Sequence, residues 1–119
     1  MKIGLDVMGG DFAPKATIKG ACLALNEISS SDKIVLIGPE EVILEELKLA
    51  NVDPGTFIVA HAPEVIGMGE HPTRAIVQKP KSGIAVGFQM LKTGDIDAFS
   101  SAGNSGAMVV GSMYSVNTI

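Results

Sequence analysis

Two short glycine-rich stretches hold the residues best suited to chemistry. Met8-Gly9-Gly10-Asp11 follows an apolar run at residues 3–7, and Ser100-Ser101-Ala102-Gly103-Asn104-Ser105-Gly106-Ala107 follows Asp97-Ala98-Phe99. Glycine leaves backbone N–H groups open to a ligand because no Cβ shields them. A helix starting just after such a loop adds unpaired N–H donors and a partial positive charge. Two loops of this kind at strand-to-helix junctions predict an oxyanion or phosphate at the carboxyl ends of the strands. Gly9, Gly10, Ser101, Gly103 and Gly106 are the candidate binding positions, and Asn104 and Ser105 add an amide and a hydroxyl. Asp11 repels an anion, so it reads as an N-cap or as a group ordering its loop.

Charge supplies a second candidate. Residues 71–81 contain Arg74, Lys79 and Lys81 and no acid, for +3, whereas residues 27–64 carry eight acids against Lys33 and Lys48, for −6. A basic patch in an acidic protein suits an anionic ligand or an acidic partner protein. The net charge of −4 argues against nucleic acid as the main partner.

Several familiar sites are excluded. No Gly-x-Gly-x-x-Gly follows a strand and no Walker loop is present, so no nucleotide cofactor is implied. Gly103-Asn104-Ser105-Gly106-Ala107 misses the Gly-x-Ser-x-Gly nucleophile elbow by its last residue. His61 and His71 lack zinc-pair spacing and read as partly exposed structural imidazoles; no metal site is expected. The single cysteine, Cys22, forbids an internal disulfide and reads as a buried structural thiol. No apolar run approaches the ~20 residues of a membrane span. A cytoplasmic location is expected, with at most peripheral membrane association.

These candidates need a scaffold, and alternating short strands and helices provide it. Strands are expected at residues 3–7, 34–37, 57–60 and 98–100. Pro14 opens a helix with Ile18, Ala21, Cys22, Leu25 and Ile28 on one stripe, and Pro39 opens another with Ile43, Leu44 and Leu47 inside. A short helix is expected over 73–79 within the long connection 62–81. Ser82 caps a further helix closed by Gly94. The pattern predicts an α/β protein, a three-layer α/β/α arrangement with a mainly parallel sheet and a 2-1-3 core order. An apolar last helix running into Val116-Asn117-Thr118-Ile119 reads as the front of a longer protein, with residues 1–119 the amino-terminal portion of a single catalytic unit.

Three motifs resemble one family. Leu5-Asp6-Val7-Met8-Gly9-Gly10-Asp11-Phe12-Ala13-Pro14, Pro72-Thr73-Arg74-Ala75 running to Lys79 and Ser82, and Ser101-Ala102-Gly103-Asn104-Ser105-Gly106-Ala107 are similar to stretches of the bacterial phosphate acyltransferases of phospholipid synthesis, the PlsX family. The resemblance implies transfer of a fatty acyl group from acyl carrier protein to inorganic phosphate. It also implies a homodimer, and a truncated form of a fold similar to isocitrate dehydrogenases and phosphate acetyltransferases. The acyl phosphate would feed a membrane glycerol-3-phosphate acyltransferase on the way to phosphatidic acid. On this reading the Gly103 to Gly106 N–H groups and the Ser105 hydroxyl hold phosphate or the developing oxyanion. The Asn104 amide donates a further bond, so Asn104→Ala is expected to lower turnover without unfolding. Arg74 and Lys79 attract phosphate or the carrier.

Departures from the family pattern are Ser105 for a usual Thr, Val7 for a usual Ala, Val77 and Gln78 where relatives are often basic, and Gly83 where a second Ser is common. Two further readings stay open: a phosphate acetyltransferase-like enzyme using acyl-coenzyme A, and a non-catalytic anion-binding or dimerising module.

Overall fold

Every side chain of Ile34-Val35-Leu36-Ile37 is buried. Successive strand residues point to opposite faces, so this sheet must be covered on both. The computed structural model describes the backbone of residues 1–115 and the side chains of residues 1–113. The stretch 116–119, read above as an unterminated end, lies outside the described residues. The elements are β1 (Lys2–Asp6), α1 (Lys15–Ala24), β2 (Lys33–Gly38), α2 (Glu40–Leu49), a 3-10 turn (Pro54–Thr56), β3 (Ile58–His61), α3 (Pro72–Gln78), α4 (Gly83–Thr93), β4 (Ala98–Ser100) and α5 (Ser105–Ser115).

The strands are all parallel, in the order β3-β2-β1-β4. On one face, Ile18 and Ala21 of α1 and Ile43 and Leu47 of α2 bury against Val7, Ile34, Leu36 and Phe57. On the other, Val86, Met90 and Leu91 of α4 pack on Val35, Ile37, Ala62 and Ile96. Helices α3 and α5 join α4 through Ile66, Ala75, Ile84, Phe88 and Ala107. The three-layer α/β/α class is therefore as expected.

The 2-1-3 order is corrected: β3 pairs with β2, and the second neighbour of β1 is β4. Parallel crossovers are right-handed. Stepping from β1 to β2 to β3 in one direction thus leaves α1 and α2 on the same face, where their stripes share one cluster. The chain then returns through residues 62–82 and lays α4 on the opposite face before entering β4.

Smaller differences have local causes. Leu44 is 38% exposed rather than internal, because Ile43 and Leu47, four residues apart, already fill the inward stripe of α2. Cys22 is half-buried, and burial pushes its thiol pKa up. Helix α1 stops at Ala24, yet Leu25 and Ile28 still pack on the core. Ser82 caps α4 as expected, its Oγ accepting from Ala85 N at 3.2 Å.

Candidate functional site

Strands β1 and β4 lie side by side with Leu5 opposite Ser100, so the two glycine loops leave the sheet together. Between them the crossovers reverse direction, a topological switch point of the kind where open α/β sheets bind ligands. The loops touch. A Cβ built on Gly9 would lie 2.9 Å from Asp6 Oδ2, Gly103 N and Ser101 Oγ alike, so only glycine allows this approach. Gly10 adopts φ 104°, a conformation side chains rarely take, with Ala102 alongside.

A residue that sequence reasoning passed over joins the loops. Asp6, the last residue of β1, is 4% exposed. Its Oδ2 accepts from Ser101 Oγ at 2.8 Å and its Oδ1 from Met8 N at 3.3 Å. Ser101 Oγ in turn accepts from Gly103 N at 3.0 Å. Asp11, to which the ordering role had been given, is exposed at the surface. The available signal was an acid ending an otherwise apolar buried strand, since such a group needs hydrogen-bond partners.

Burial holds the Asp6 carboxyl above the ordinary aspartate range, although the bonds from Ser101 and Met8 pull it down. Between the unfolded and folded values the folded chain binds the proton more readily. The cost of the buried charge is therefore fully present above the folded value and is relieved as pH falls through it. Wild type should gain thermal stability relative to Asp6→Asn as pH falls through the raised folded value toward the ordinary aspartate value of about 4. Thermal midpoints of both proteins across that range check this; a difference constant with pH would contradict it. Glu70 has the opposite sign. Lys79, followed by the Gly67 N–H, holds it below the usual carboxylate range, so its contribution is lost as pH falls through its folded value.

Asn104 is buried at the start of α5. Its Oδ1 accepts from Ala107 N at 3.0 Å, capping the helix. Its Nδ2 faces the carbonyl oxygens of Gly67, Met68 and Glu70 at 3.1, 3.3 and 3.0 Å. The amide is thus occupied by the connection between β3 and α3. The Gly103 N–H is likewise engaged, by Ser101. Among the described residues no acceptor is paired with the N–H groups of Ser105 or Gly106, and the Ser105 side chain is exposed. Gly106 abuts Pro72, which brings the start of α3 against the start of α5.

The basic cluster divides. Lys79 Nζ donates to Val65 O at 2.7 Å and to Glu70 Oε2 at 2.8 Å, and Glu70 Oε2 also accepts from Gly67 N. This lysine pins the connection internally. Arg74 is exposed on α3 and, with Glu70, His71, Ala75 and Gln78, lines a hollow of about 170 Å³. The histidines serve as caps: His61 Nδ1 accepts from Glu40 N at 3.0 Å, and His71 Nδ1 from Arg74 N at 3.5 Å.

Fold and site together define a parallel α/β protein whose small-residue loops gather at the carboxyl end of the sheet. Its place among known proteins follows from comparison. The model of the family described as fatty acid synthesis protein matches residues 1–119, and the chain belongs to that family. Proteins named phosphate acyltransferase match the whole chain: 41% identity in Herpetosiphon aurantiacus, 40% in Pelotomaculum thermopropionicum and 43% in Desulforamulus reducens. These matches cover 32%, 34% and 35% of the respective relatives. The chain thus spans about a third of the length of the curated relatives it matches. Among the described residues no helix is long and apolar enough to cross a membrane.

Proposed function

We propose that residues 1–119 form the amino-terminal portion of a single α/β catalytic unit that moves an acyl group from acyl carrier protein to inorganic phosphate. A phosphate oxygen attacks the thioester carbonyl carbon, the C–O bond forms, the C–S bond breaks, and the proton of hydrogen phosphate ends on the departing sulfur, releasing acyl phosphate and the free carrier thiol. The family and the relatives' name support the acyl transfer and the phosphate. The observation that carries the site is the pair of open N–H groups, Ser105 and Gly106, beside the junction of both glycine loops.

In this reading the N–H groups of Ser105 and Gly106 and the Ser105 hydroxyl hold phosphate, since a helix N-terminus favours an anion. Orienting phosphate for attack supplies much of the rate, and N–H donors near the carbonyl oxygen stabilise its developing charge. Gly9, Gly10 and Gly103 keep the loops close. Ser101 and Asn104 act by positioning, and Lys79 acts through the connection it pins. Arg74, exposed on α3, attracts phosphate or the acidic carrier. The working protein is a cytoplasmic homodimer, peripheral to the membrane where a glycerol-3-phosphate acyltransferase consumes the product.

The test is a turnover assay on the enzyme at its relatives' full length, with phosphate and either acyl carrier thioester or acyl-coenzyme A. Acyl phosphate should form from the carrier thioester, and Ser105→Ala should raise the KM for phosphate about tenfold. Preference for the coenzyme A thioester would favour the acetyltransferase-like reading. Phosphate binding without turnover of either donor would leave an anion-binding module.

A further inference from the structure

We infer that Asp6 is a positioning residue, which sets the phosphate-holding turn through a relay from its carboxylate to the Ser101 hydroxyl and on to the Gly103 N–H. The inference rests on the proposed phosphate site and adds the group that holds it in shape. An ionised carboxylate has no proton to give. The 2.8 Å contact with Asp6 Oδ2 therefore makes Ser101 the donor and leaves its oxygen lone pairs to accept the Gly103 N–H at 3.0 Å. That direction locks the loop one residue before the Asn104 cap. The caps and the relay together orient the first turn of α5, whose Ser105 and Gly106 N–H groups stay unpaired among the described residues.

The other carboxylate oxygen, bonded to Met8 N, ties the first glycine loop to the same point. One buried side chain thus determines the relative placement of two loops that are 95 residues apart at the Asp6–Ser101 bond. Gly83, at the start of α4, makes room for it: a Cβ there would collide with Asp6 Oδ1. Glu64 lines the same narrow crevice beside Asp6, with Met8, Ile66 and Ile84.

Steady-state kinetics of the full-length enzyme test the inference, using Asp6→Asn, Ser101→Ala, Ser101→Thr and the double variant Asp6→Asn/Ser101→Ala. Partial unfolding removes active molecules, lowering apparent kcat while leaving KM unchanged. A displaced binding turn instead raises the KM for phosphate. Asp6→Asn and Ser101→Ala should each raise that KM about tenfold, with the KM for the acyl donor unchanged. Ser101→Thr, which keeps the hydroxyl, should restore it. The double variant should be no worse than the worse single one, as expected when two residues act as one unit. An unchanged phosphate KM in both single variants, or additive effects in the double, overturns the relay. Absence of acyl phosphate formation by the wild type would instead overturn the proposed reaction.

Discussion

Asn104→Ala should destabilise the fold by about 2–4 kcal/mol, the largest stability loss expected of any single change at this site. The first contribution is the cap on α5, whose removal typically costs about 1 kcal/mol. The second comes from the carbonyls of Gly67 and Glu70, which lose a buried donor at 3.1 and 3.0 Å. A group buried without its partner costs about 1–3 kcal/mol. Against a total stability of roughly 5–15 kcal/mol this is a substantial fraction. Chemical denaturation measures it directly.

Companion variants separate the two contributions. Asn104→Ser keeps a capping oxygen and should recover about 1 kcal/mol. Asn104→Asp keeps the cap but sets a carboxylate against three carbonyl oxygens, so it should be at least as damaging as alanine at neutral pH. The sequence pattern alone made Asn104→Ala a loss of turnover in a folded protein. The geometry adds a loss of stability, because the amide bonds to its own chain. A stable alanine variant with wild-type denaturation would contradict the account.

The second large effect is expected from Gly9→Ala. The added methyl meets a carboxylate oxygen, a hydroxyl oxygen and a backbone nitrogen, all at 2.9 Å. None is the free end of a long flexible chain, so the loops must separate. Overpacking of this kind costs about 1–3 kcal/mol. Separation also draws Ser101 from Asp6 and releases the Gly103 N–H, so phosphate affinity should fall with stability. Gly20→Ala provides the control. It lies on the exposed side of α1 with nothing within 4 Å of the new Cβ, and should stabilise by about 0.5–1 kcal/mol. Differential scanning calorimetry and phosphate titration of both variants distinguish a local steric effect from a general intolerance of alanine.

Much of this protein was legible in its residues because the signals are local. Buried strands show as short apolar runs, helices as stripes with period near 3.6, and the caps at Ser82 and Gly94 sit where hydroxyl and glycine chemistry requires. The two glycine loops were legible for the same reason: each is a strand-to-helix turn written in consecutive residues. Periodicity shows which face of an element is buried, but not which neighbour it is buried against. The strand order, the meeting of the loops and the partners of Asp6, Asn104 and Lys79 therefore emerged only on folding. The Asn104 bonds reach back 34–37 residues and the Asp6 bond spans 95. At such separations identity and spacing carry no directional information. The side chains that looked free to meet a ligand were in part those needed to satisfy buried backbone groups, and packing alone assigned them to that task.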